Sequence, residues 1–138
     1  MKLLSQLTGT GVAIVTPFNK YQEVDYTAFG NLIDFIINGG VEYLVILGTT
    51  GETPVLTTAE KTAITQFTYT HVNNRVPVVV GIGGNDTRSV VEELRSFPLD
   101  QATAVLSASP YYNKPSQEGL ILHYQALAAA SPKPLILY

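Results

Sequence analysis

Five short runs of apolar and branched residues recur along the chain: Val12-Ala13-Ile14-Val15, Tyr43 to Leu47, Val78 to Ile82, Ala102 to Leu106, and Pro134 to Tyr138. Each is nearly continuous rather than alternating, the mark of strands covered on both faces. Stretches of helical period lie between them. Phe29, Leu32, Ile33, Ile36 and Ile37 share one face of a first helix, and Gly39-Gly40 supplies its stop. Thr57, with Glu60 three residues on, has the capping-box spacing that satisfies orphan N–H groups at a helix start. Ala63, Ile64, Phe67 and His71 continue that second face. A third helix begins near Asn85 or Asp86, with Val90, Val91 and Leu94 inward. A fourth begins near Ser116, with Leu120, Ile121, Tyr124, Leu127 and Ala128 in register, and Pro132 and Pro134 end it. The order β-α-β-α-β-α-β-α-β, at about 30 residues per unit, is that of βαβ units joined by right-handed crossovers over a parallel sheet.

Composition narrows the function classes. The 138 residues are 46% hydrophobic and 14% charged, which excludes disorder. The net charge is -3 with no basic block, so a nucleic-acid partner is not expected. There is no cysteine, hence no disulfide, thiolate metal site or Cys nucleophile. The amino-terminal stretch is too short for a signal peptide, and no run has membrane-spanning length. A soluble, cytoplasmic protein with no membrane partner is expected. No linker or composition break divides the chain, so residues 1–138 read as part of a single domain.

Two folds fit the element order. A doubly wound, flavodoxin-like sheet is complete at five strands, and would be a non-enzymatic binding module. A (β/α)8 barrel takes about 250 residues, of which this chain is a little over half. The fifth apolar run ends at the last residue with no helix after it, which favours the barrel.

In both folds function gathers on loops at the carboxyl ends of strands. "LGTTGETPVLTTAEK", Leu47 to Lys61, is such a loop. Glycines allow a sharp turn and a close ligand, and consecutive amides form a nest for an anion such as a carboxylate. Thr49 and Thr50 add hydroxyl donors and acceptors. The plainer alternative is a turn whose threonines satisfy local backbone. It is not a P-loop, which needs Lys after its second glycine. Gly81-Ile82-Gly83-Gly84 fails the dinucleotide fingerprint, because Asp86 stands where the third glycine belongs. Tyr111-Tyr112 either cover apolar surface or relay protons. His71 and His123 read as helix-face residues. No Asp, Glu or His cluster has metal-ligand spacing, so no metal and no cofactor are expected.

"GVAIVTPF", "GTTGE", "VPVVVGIGGN", "SPYYNKPSQEGL" and "PLILY" occur in that order from about Gly9 onward. Together they resemble the dihydrodipicolinate synthase family, pyruvate-dependent class I aldolases related to N-acetylneuraminate lyase. Thr49 and the Tyr-Asn-Lys-Pro run resemble the synthase rather than the lyase. The resemblance implies a (β/α)8 TIM barrel, α/β in class, truncated here after strand five. It implies the substrates pyruvate and aspartate 4-semialdehyde, and pyruvate held as a Schiff base on a lysine of strand six. It implies a proton relay of Tyr138 as acid/base, Thr49 as hydroxyl link and Tyr112 as the solvent-facing end, with Thr50 and Thr49 binding the pyruvate carboxylate. A homo-oligomer is implied, dimer or tetramer, with Tyr112 near a subunit interface. Another aldolase of the family, acting on a different aldehyde, is the alternative.

Two departures from the pattern matter. The lysines are Lys2, Lys20, Lys61, Lys114 and Lys133, and none falls at the end of a barrel strand. The chain alone is therefore expected to be inactive. The family's feedback site for lysine is matched by Asn85 and Tyr111, but Thr58, Lys61 and Ser89 replace its two histidines and glutamate. Weak or absent inhibition by lysine follows.

Overall fold

The computed structural model describes residues 6–138. Strands β1 (Gly11–Ala13), β2 (Tyr43–Ile46), β3 (Val78–Gly81), β4 (Ala104–Ser107) and β5 (Leu135–Leu137) alternate with helices α1 (Tyr26–Asn38), α2 (Thr58–Val72), α3 (Thr87–Ser96) and α4 (Gln117–Ala130). Helix starts follow from local chemistry. Asp25, Thr57, Asp86 and Ser116 each stand just before a helix and accept from amides of its first turn. At α2 the exchange is reciprocal: Glu60 N donates to Thr57 Oγ1 at 3.2 Å, and Thr57 N donates to Glu60 Oε2 at 2.8 Å. After α1 the left-handed residue is Gly40, at φ 88°, rather than Gly39.

All five strands are parallel and pair in strict chain order, β1-β2-β3-β4-β5. A doubly wound sheet reverses its strand order at a switch point, and this one does not. The flavodoxin-like alternative is thereby excluded. What remains is the sequential path of a barrel wall.

The sheet's two faces differ. Leu44, Ile46, Val78, Val80 and Val105 point to the helices and join Phe29, Ile33, Ile64, Leu94 and Leu127 in the main core. Val45, Val79 and Ala104 point the other way, with Tyr43, Leu106 and Ile136 packed beside them, as the inner layer of a barrel requires.

Two helix faces differ from the periodicity reading. On α2 the buried residues are Ile64, Thr65, Thr68, Tyr69 and Val72, while Ala63 is exposed. Thr65 and Thr68 bury without penalty because their hydroxyls donate to the carbonyls of Lys61 and Ile64, at 2.9 and 2.7 Å. On α4 His123 and Leu127 are buried, and Ile121 and Ala128 face outward. The His123 imidazole goes inward because its Nδ1 meets the Thr87 hydroxyl at 2.8 Å.

Candidate active site

The loops at the carboxyl end of the sheet form one rim. Leu47 closes β2 at φ 55°, and Glu52 follows at φ 55°; between them Thr49–Gly51 make a 3-10 turn. Neither left-handed residue is a glycine. Gly48 has extended backbone that any residue adopts. Gly51 is needed for space instead, since a methyl group there would meet the Ile14 carbonyl at 3.3 Å and Thr16 Oγ1 at 3.4 Å. The sharp bend is held by side chains. Thr53 Oγ1 donates to the Leu47 carbonyl at 2.6 Å, and the buried Thr16 hydroxyl donates to the Gly51 carbonyl at 2.7 Å. Thr16 has no assigned role in the sequence reading. A hydroxyl directly after an apolar strand was the available signal.

The turn spends two amides internally, Gly51 N on Gly48 O and Glu52 N on Thr49 O, at 3.0 and 3.1 Å. The amides of Thr49 and Thr50 have no partner among the described residues, and both side chains are exposed. This is how the first residues of a helical turn present N–H groups to an anion.

Tyr112 sits on the β4–α4 loop, 91% exposed and at φ 69°. Asn113 N donates back to Tyr111 O at 2.9 Å, which closes a γ-turn of the rare positive-φ kind around Tyr112. The turn is anchored from the loop after β3. Tyr111 N donates to Asn85 Oδ1 at 2.8 Å, and Asn85 Nδ2 donates to Tyr111 O at 3.1 Å. A strained, exposed aromatic held by a two-point amide clasp is the kind of outlier that points to function. Tyr138 lies one residue past β5, at the same end, with its phenol exposed.

Thr49, Thr50, Tyr112 and Tyr138 thus share the rim, on the loops after β2, β4 and β5. No hydrogen bond joins the hydroxyls of Thr49, Tyr112 and Tyr138 among the described residues. Lys61 points across to α3 instead, its Nζ 3.5 Å from Glu93 Oε1.

The sequence pattern of the dihydrodipicolinate synthetase family matches residues 6–138. This chain belongs to the dihydrodipicolinate synthetase family. A 4-hydroxy-tetrahydrodipicolinate synthase of Parabacteroides distasonis is 52% identical over 132 residues, which are 96% of this chain and 44% of that relative. One of Bacillus subtilis is 42% identical over 126 residues, 91% of this chain and 43% of that protein. The chloride-inhibited dihydrodipicolinate synthase of Acinetobacter baumannii, solved with pyruvate, superposes with a TM-score of 0.89 at 42% identity. It covers 94% of this chain, and the match spans 45% of its own length. A monomeric dihydrodipicolinate synthase variant reaches 0.91 at 35% identity, over 98% of this chain and 45% of that one. The chain thus spans a little under half the length of these relatives, and its five-stranded sheet corresponds to the amino-terminal part of their barrel.

Proposed function

We propose that the chain is the amino-terminal portion of a 4-hydroxy-tetrahydrodipicolinate synthase, and that residues 1–138 form part of one barrel domain. In this reading the complete enzyme condenses pyruvate, held as a lysine Schiff base, with aspartate 4-semialdehyde. The observation that carries it is the rim. Two adjacent threonines whose amides have no partner among the described residues follow β2, and tyrosines follow β4 and β5, all at the end where barrel enzymes do chemistry.

The roles follow from what each group can do. The Thr49 and Thr50 amides and hydroxyls suit the pyruvate carboxylate, an anion with several acceptor sites. Tyr138 acts as acid and base at the reacting carbon, Thr49 links it, and Tyr112 exchanges protons with solvent. A chain of neutral hydroxyls moves protons without a fixed charge beside the substrate. Tyr112 reaches this site from a neighbouring subunit, so the enzyme works as a homo-oligomer. Its exposure and its rigid, strained turn support that role. In this reading the Schiff-base amine is a lysine of strand six, and among the described residues Lys20, Lys61, Lys114 and Lys133 belong to no strand.

The test joins this chain to the carboxyl-terminal part of the Parabacteroides distasonis relative and measures condensation of pyruvate with a panel of aldehydes. Aspartate semialdehyde is expected to be the preferred acceptor. Tyr138→Phe is expected to lower kcat by about 10²–10⁴-fold, as loss of acid–base help does. Preference for another aldehyde would place the protein elsewhere in the family.

A further inference from the structure

Tyr138 stands outside β5, which is only three residues long, yet its backbone is held more closely than a strand end requires. Its N–H donates to Ser107 O at 3.0 Å, and its carbonyl accepts from Ser109 N at 2.9 Å. The same carbonyl accepts from Ser109 Oγ at 3.2 Å. Behind Ser109 lies Tyr124 of α4. Its hydroxyl is 2.9 Å from Ser109 Oγ and 3.1 Å from Ser107 O. Helix α4 therefore reaches the end of β5 through one serine.

Proton counting shows how this works. Each hydroxyl carries one proton, and three contacts compete for the two. Filling the two outer contacts leaves the oxygens of Tyr124 and Ser109 facing each other at 2.9 Å with no proton between them. Two arrangements avoid that. In one, Tyr124 donates to Ser109, which donates to the Tyr138 carbonyl. In the other, Ser109 donates to Tyr124, which donates to Ser107 O. Both retain the Tyr124–Ser109 link; only the first carries it on to the Tyr138 carbonyl, where bonds in the chain polarise one another, and that arrangement is the clamp.

We propose that Ser109 and Tyr124 are positioning residues for Tyr138: the Tyr124–Ser109 hydroxyl pair clamps the Tyr138 backbone and so aims its phenol into the rim. The proposal rests on the acid–base reading of Tyr138. Neither residue needs to touch substrate. Their effect is geometric, and misplacing a reacting group by about 1 Å can cost up to about a hundredfold in rate.

The test uses the completed barrel described above. Tyr124→Phe and Ser109→Ala are expected to lower kcat roughly tenfold. KM for pyruvate should stay within about twofold, because the carboxylate site belongs to the β2 turn. Ser109→Thr, which keeps a hydroxyl, should recover most of the loss. The double variant should be no slower than the slower single, since the two act as one unit. A second readout is independent of turnover: ¹⁹F resonance of 3-fluorotyrosine at position 138. One narrow line is expected in the parent and in Ser109→Thr, and a broadened or split line in Tyr124→Phe and Ser109→Ala. Unchanged kcat and an unchanged line in those two variants would overturn the proposal. So would losses that only track a smaller folded fraction by circular dichroism. If the parent itself does not condense pyruvate, the functional reading fails, and the fluorine line alone decides the clamp. Should Ser109→Ala not fold, Tyr124→Phe, which removes a single oxygen, carries the test.

Discussion

A methyl group at position 81 would lie 2.1 Å from the Leu47 carbonyl oxygen, deep inside contact distance. The atom it meets is backbone, in a segment already bent to φ 55° and tied down by Thr53. Neither side can yield cheaply. Gly81→Ala is expected to destabilise the completed barrel by about 2–3 kcal/mol, read by denaturant unfolding at constant m-value. This constraint was not legible in the sequence, where Gly81 reads as one of three glycines in a turn. The rim residues Thr49, Thr50 and Tyr112 were legible, because each follows an apolar run. The bend itself was not. Leu47, Glu52 and Tyr112 take positive φ without being glycine, and the turns around them are held by the side chains of Thr53, Thr16 and Asn85. Lys61 gives a second prediction at this scale. Its ammonium lies 3.5 Å from Glu93 Oε1, and a fixed cation there would repel the ammonium of a lysine bound nearby. Titration of the active barrel with lysine is expected to inhibit weakly or not at all, and strong inhibition would refute that expectation.

Helix boundaries were legible because caps are local: Thr57 with Glu60, Asp86 and Ser116 announce their helices within four residues. Helix faces were less so, because burial of Thr65, Thr68 and His123 depends on which polar atoms find partners. His123 shows the consequence. It is 4% exposed, its Nε2 has no partner among the described residues, and burial holds its pKa below the ordinary 6.5. The unfolded chain takes up a proton below about pH 6.5 that the folded helix pair declines. Stability from this group is therefore complete above that pH and is lost as pH falls through the folded-state value. Asp34, held low by Arg75 and then His71, and Glu60, held low by Thr57, lose their contributions only in more acidic solution. The melting temperature should fall by a few degrees between pH 7 and pH 5.5, and His123→Gln should flatten that slope. An equal slope in the variant would assign the effect to other groups.

Strict strand order leaves β1 and β5 with one neighbour each, and the two edges match in character. Beside β1, Val12, Phe35, Ile36 and Val41 line an apolar cleft, with Phe35 77% exposed. On α4 and β5, Ile121, Leu122 and Leu137 are all more than half exposed. Open parallel edges flanked by apolar side chains invite pairing with other chains. Closing the sheet removes both edges at once, and the helices that come with further strands cover the apolar side chains next to them. The 138-residue polypeptide alone is therefore expected to self-associate and to bind a hydrophobic dye. Co-expression with the carboxyl-terminal part of the Parabacteroides distasonis relative is expected to abolish dye binding and yield one discrete species on size exclusion. Phe35→Glu should block that rescue while leaving the caps and the main core untouched, because Phe35 is 77% exposed in the cleft beside β1 and belongs to neither. A monomeric, dye-silent polypeptide that unfolds cooperatively without any added half would show instead that five strands can satisfy their own edges.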